Sequence, residues 1–228
     1  MRRYQFVTKL GAGVLLAGLA FAPGAAFADE VEIGAAAKVG ESLGGLHLKE
    51  QPDSGSGEFT AASIDSTDDL SGDRVIPIEI LTENELSVDS EAFAGHVLDV
   101  LNDEKGWGSD GSVSFELVDD NPELTIRLAT PGTVDDLCAP LNTNGYTSCR
   151  VADEVILNVD RWAGATDDFL DAGGSLSEYR TYLINHEVGH FLGHGHETQC
   201  GPDGLAPVMM QQTLDLRGCE PNGWPDIP

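Results

Sequence analysis

Asn185-His186-Glu187-Val188-Gly189-His190-Phe191-Leu192-Gly193-His194-Gly195-His196 decides how the rest of the chain is read. Four of the six histidines fall within eleven consecutive residues here, and a glutamate follows the first of them. On a helix, residues four apart lie one above the other on a single face, so His186 and His190 can turn their rings toward one metal ion. Glu187 flanks that face, near the ion but not bound to it. Gly193 can end the helix in a left-handed conformation, which turns the chain back and brings in His196 as a third nitrogen ligand. Three protein ligands and one open position describe a reactive zinc site rather than a closed structural one.

The start of this helix is marked as clearly as its end. Gly173-Gly174 interrupts what precedes it, and Ser175-Leu176-Ser177-Glu178 fits a capping box with Ser175 as N-cap. Tyr179, Leu183, His186 and His190 fall on one stripe, while Ile184, Val188 and Phe191 fall on another that should face a core. The spacing therefore predicts separate metal and packing faces. His194 follows Gly193 too closely to reach the ion easily, so a supporting or surface role is expected for it.

His-Glu-x-x-His on a helix is a zinc-protease motif. Extended through Gly193 to His196 and followed by a methionine turn, it resembles the metzincin clan of metallopeptidases. Ala206-Pro207-Val208-Met209-Met210-Gln211 looks like that turn, with Met209 favoured over Met210 for its key position. The stretch from Tyr179-Arg180 through Asn222-Gly223-Trp224-Pro225 is also similar to a family of secreted bacterial proteins carrying a metzincin-like zinc motif. Glu197 matches a glutamate of the astacin subgroup. No tyrosine stands two residues beyond either methionine, however, so a tyrosine ligand is not expected.

The resemblance implies an α+β fold: a small twisted mixed β-sheet with two main helices, the second carrying the zinc motif. It also implies Zn2+ as cofactor on His186, His190 and His196, with Glu187 as general base and Met209 beneath the ligands. The expected activity is hydrolysis of a protein or peptide substrate, as an endopeptidase. A zinc-stabilised extracellular binding module without turnover is the alternative, and hydrolysis of a non-peptide amide is a third reading.

Charge narrows the partners. Against 39 Asp and Glu stand only 12 Lys and Arg, a net charge of −27. Such a surface repels nucleic acid and anionic membranes, so neither is expected as a partner. Solubility or salt adaptation explains the excess more simply than steering of cationic substrates. A monomer is expected.

Residues 1–28 read as a secretory signal, with Arg2, Arg3 and Lys9, an apolar run from about Leu10 to Ala22, and Ala26-Phe27-Ala28 before Asp29. That run is too short and glycine-rich for a membrane span, so a secreted, extracellular location is expected. Residues 29–72, with Gly44-Gly45 and Ser54-Gly55-Ser56-Gly57, read as a flexible linker or a pro-segment. The peptidase-like domain is expected over 73–228.

Within that domain, Arg74 to Leu81 reads as a strand with Ile76, Ile78 and Ile80 on one face, weakened at Pro77. Asp89 to about Asn102 reads as a helix with a stripe of Phe93, Val97 and Val100/Leu101. His96 beside that stripe and His47 upstream are not expected to bind metal. Val113–Val118, Leu124–Leu128 and Glu154–Val159 read as further strands, the first two parted by a turn at Asp119-Asp120-Asn121-Pro122. An edge strand near Arg150 and Val151, or over Glu154–Val159, is a candidate for aligning an extended peptide.

Four cysteines, Cys138, Cys149, Cys200 and Cys219, imply two disulfides in an exported chain. Three pairings are possible, and proximity along the chain favours Cys138–Cys149 and Cys200–Cys219. The second would close a loop carrying both methionines, and a closed loop of about 20 residues stabilises by roughly 3 kcal/mol.

Overall fold

The computed structural model describes residues 44–47, 50–64, 70 and 72–225. The signal sequence read over 1–28 lies outside the described residues. The fold is α+β, built on a mixed open sheet.

The sheet grows around β2 (Arg74–Glu83), whose Ile76, Ile78 and Ile80 are fully buried on one face, as the alternation predicts. β3 (Val113–Leu117), β4 (Leu124–Ala129) and β6 (Glu154–Asn158) run parallel to it, while β1 (Phe59–Ala61) and β5 (Cys149–Val151) are antiparallel. β1 and β3 share one edge of β2, and the order continues β2-β4-β6-β5. Pro77 is tolerated within β2 because β4 pairs only from Ile78 onward. Its missing N–H faces that unpaired stretch, while its carbonyl accepts from the Glu123 N–H at 2.7 Å.

Two long helices cover one face of the sheet. α1 (Ser90–Leu101) starts at Asp89, whose carboxylate accepts from the Ala92 N–H, and buries Phe93, Val97 and Leu101. Three short helices follow: α2 (Pro131–Leu137), α3 (Val159–Gly164) and α4 (Asp167–Asp171). α5 (Leu176–Phe191) then carries the histidine motif. The main core lies between the sheet and α1, α3 and α5, and includes Trp162, Phe169 and Tyr179. On the other face, Val134 of α2 packs with Ile156 and the Cys138–Cys149 disulfide in a smaller cluster.

The structure corrects three expectations. Residues 44–47 and 50–64, part of the stretch read as linker or pro-segment, are packed on the domain. Leu46 is buried in the core, β1 pairs with β2, and the Gly44 carbonyl accepts from the Trp162 indole at 2.7 Å. The low-complexity composition hid this because only a few residues there, Leu46, Phe59 and Ala62 among them, carry the contacts. The domain therefore begins well before residue 73. The strand expected over Glu154–Val159 ends at Asn158, whose side chain caps α3 by accepting from the Asp160 N–H at 2.9 Å. Finally, the stripe of Tyr179, Leu183, His186 and His190 is split: Tyr179 and Leu183 join Ile184 and Val188 in the main core, and His186 and His190 line the cleft.

Candidate metal centre

α5 begins with the expected capping box, in which Ser175 and Glu178 each bond the other's backbone N–H. It ends in a Schellman motif. The Gly193 N–H bonds the His190 carbonyl, and the His194 N–H bonds the Gly189 carbonyl at 2.9 Å. Gly193 takes φ +98°, a conformation open to glycine and costly for other residues. This reversal carries His196 back beside the helix.

One ligand atom from each of His186, His190 and His196 lies within 4.8 Å of the other two. These residues could hold a metal ion. His194 is not in the group, nor are His47 and His96.

The remaining ring nitrogens explain the orientation. His186 Nδ1 is 2.8 Å from the Val208 carbonyl, and His190 Nδ1 is 2.9 Å from the His194 carbonyl. A carbonyl can only accept, so each Nδ1 carries the proton and each Nε2 keeps its lone pair for the site. His190 Nε2 and His196 Nε2 stand 3.0 Å apart. Two ring nitrogens that close require a shared proton or a cation between them. Burial holds His186 neutral, pushing it down to about 3, and burial followed by the neighbouring His190 lowers His196 as well. Neutral imidazoles are the form that binds a metal.

Glu187 is buried beside the three rings on the cleft wall, and its burial pushes the carboxyl up to about 8. Among the described residues no other carboxylate lines this cleft, which has a volume of about 600 Å³.

The floor comes from the segment after the disulfide at Cys200. Met209 is buried in the main core, and a Cβ placed on Gly189 would come within 2.4 Å of its sulfur. Met210 instead joins a separate cluster with Ala206, Leu216 and Cys219. Cys200–Cys219 closes this segment, and the carbonyl of Met209 accepts from the Glu197 N–H at 3.0 Å. The segment carrying the third histidine is thus tied to the turn that supports the first. The Gln212 side-chain amide donates to the Asn222 carbonyl and accepts from the Asn222 N–H, clamping the same loop.

Several contributors escape sequence reasoning. Trp107 donates its indole N–H to the Asn185 carbonyl at 3.0 Å and stacks on the His194 ring, with centroids 4.4 Å apart. His194 thus supports the site twice, through its ring and through its carbonyl to His190. Tyr182 lines the cleft 5.2 Å from the His186 ring. Asn185 ties the helix to the C-terminal stretch through the Gly223 carbonyl. The only signal in the sequence was a glycine in mid-helix, Gly189, since such a residue costs about 1 kcal/mol relative to alanine and implies a close approach.

Two disulfide-closed loops form the cleft walls. Leu141, Thr143 and Ser148 come from the loop closed by Cys138–Cys149, and Gln211, Thr213 and Leu214 from the loop closed by Cys200–Cys219. Both bridges follow the pairing favoured by chain proximity. Between the walls, β5 forms the end of the sheet and brings Arg150 to the cleft. Among the described residues, no helix is long and apolar enough to cross a membrane.

No curated protein and no solved structure matches the chain. Residues 49–222, which include all of the histidines, carboxylates and cysteines described here for the centre, match one family along most of the chain. The chain belongs to the family described as Protein of unknown function (DUF3152).

Proposed function

We propose that this protein is a secreted zinc metallopeptidase of metzincin type that hydrolyses peptide bonds in an extended substrate. The observation that carries the reading is the convergence of His186, His190 and His196 with Glu187 buried alongside, all at the base of one open cleft. Three neutral imidazoles suit zinc, and their outer nitrogens are already anchored on carbonyls. A zinc ion held by these three residues supplies Lewis acidity and lowers the pKa of water at its open position.

The chain's own groups supply the rest. Glu187 forms no ion pair among the described residues, and its desolvated carboxylate is a strong proton acceptor once ionised. It takes a proton from the attacking water and returns it to the leaving amine. β5 pairs only with β6 among the described strands, so its outer edge offers backbone donors and acceptors to a peptide lying across the cleft. Two disulfides and the acidic surface fit an extracellular setting.

Digestion of a broad peptide library by wild type, chelated protein and Glu187→Ala tests this function. The proposal expects cleavage by wild type, loss on chelation and recovery on adding zinc. In Glu187→Ala cleavage should fall by at least about 100-fold, as loss of a general base predicts, with zinc retained. Zinc retained with no cleavage by any sample would instead favour the binding-module reading.

A further inference from the structure

We propose that Arg150 is a specificity-determining residue that selects substrates bearing a carboxylate. This rests on the peptidase reading above for the kind of substrate, but not on turnover. In the β5–β6 ladder Arg150 is paired with Val155 and Cys149 with Ile156. Directly opposed residues share a face, so Arg150 lies on the α5 side with the core residue Val155, and Cys149 on the other. Among the described residues Arg150 is the one Lys or Arg that lines the cleft, where it shares the wall with His186, Glu187, His190 and His196.

Its guanidinium has no acidic partner among the described residues. Nε is buried without a hydrogen-bond partner, and the residue forms no ion pair among the described residues. Arg127 and Arg161 share the buried, unpartnered Nε, but their Nη groups are engaged. Arg127 pairs with Glu154, Arg74 with Glu123, and Arg161 donates to the Ala165 carbonyl. In a chain with 39 acids, a half-buried cation left without an acidic partner in a cleft is available to a carboxylate from outside. A planar guanidinium with free N–H groups takes a carboxylate bidentately.

The overall charge sharpens the argument. A net charge of −27 repels any anionic ligand at long range, so discrimination in favour of a carboxylate has to arise locally, at Arg150. Leu141 and Leu214 line the same cleft and are 54% and 50% exposed, which gives apolar contacts for the residues flanking that carboxylate. The carboxylate can belong to an Asp or Glu side chain or to the peptide C-terminus.

The test reads binding without cleavage, using zinc-loaded Glu187→Gln protein and fluorescein-labelled Ala/Leu heptapeptides at 0.15 M salt. Three probe sets are compared: amidated with one Glu scanned along the peptide, amidated with Gln in its place, and Gln-containing with a free C-terminal carboxylate. At least one carboxylate probe should bind about tenfold or more tighter than its neutral counterpart, as expected for a charge-assisted pair. That gap should close in Arg150→Met and partly return in Arg150→Lys, with neutral-probe affinity unchanged. The preferred probe tells side chain from terminus. Equal binding of all three sets, no binding of any carboxylate probe, or a gap that survives Arg150→Met overturns the assignment. Thermal melting and zinc content confirm that the Arg150→Met protein is folded, and Arg150→Lys provides an independent variant if it is not. Carboxylate-selective binding with no cleavage by wild type upholds Arg150 and removes the peptidase reading. Cleavage without carboxylate preference does the reverse.

Discussion

His186 Nδ1 lies 2.8 Å from the carbonyl oxygen of Val208, the residue before Met209. The first histidine of the helix is therefore held by the backbone of the turn that also supplies the methionine beneath it. Glu197, next to the third histidine, bonds the Met209 carbonyl and closes the same circuit. The ligand geometry depends on a loop more than ten residues downstream of the helix, and the predictions below probe that dependence.

Gly189→Ala should destabilise the protein. The new methyl would sit 2.4 Å from the Met209 sulfur and 2.7 Å from the Trp107 ring. Overpacking of that kind costs about 1–3 kcal/mol, which outweighs the roughly 1 kcal/mol that alanine gains over glycine in a helix. Denaturant unfolding checks this, and metal affinity should weaken as Met209 is displaced. A more stable variant would show that the contact is slack.

Replacing Cys200 and Cys219 together by serine should lower stability by about 3 kcal/mol, a fall in Tm of roughly 5–10 °C. The bridge joins residues 19 apart and closes the segment holding Met209. Calorimetry on the double variant, followed by metal content, separates loss of global stability from loss of the site. An unchanged Tm would mean that the Gln212–Asn222 clamp holds the loop by itself.

Burial raises Glu187 to about 8 in the metal-free protein, above its usual 4.5. The folded state then binds the proton more tightly than the unfolded state between those values, so stability falls as pH rises from 4.5 through 8. Glu187→Gln removes this loss. Without metal, the variant should be the more stable protein at pH 8–9, with the advantage shrinking toward pH 5. His186, lowered to about 3, has the opposite slope: its contribution is complete above 6.5 and is lost as pH falls toward 3. Urea unfolding of both proteins across this range measures the difference, and parallel pH curves would contradict it.

Trp107→Ala should weaken metal binding by about 10- to 100-fold, as loss of an outer support does. The indole fixes the Asn185 carbonyl and stacks on His194, whose own carbonyl orients His190. Trp107→Phe keeps a ring for stacking and should recover part of the affinity. Competition with a chelator measures both.

The histidine motif was legible because its signals are local. The capping box, the i, i+4 spacing and the positive-φ Gly193 are all set within one helix and its exit. Period-two alternation likewise revealed β2, where an isoleucine at every second position reaches the core. What stayed hidden is non-local. Trp107 is 78 residues from the carbonyl it bonds, and β1 is a three-residue strand in a glycine- and serine-rich stretch with almost no pattern. The burial of Tyr179 through Gly189 in α5 could not be read from its polar sequence, because its cover comes from Trp107 and the stretch ending near Gly223. The short helices α2 to α4 carry caps or an N-terminal proline, but are too brief for a 3.6-residue period to emerge.

Metal content per chain, measured across single variants, tests the central claim most directly. Wild type should carry one zinc ion, retained in Glu187→Ala, and His186→Ala, His190→Ala and His196→Ala should each lose it while remaining folded. His194→Ala should keep the ion with reduced affinity, since the His190–carbonyl contact it supplies is backbone. Full zinc occupancy in any of the three ligand variants, or none in the wild type, would contradict a centre made by these three rings.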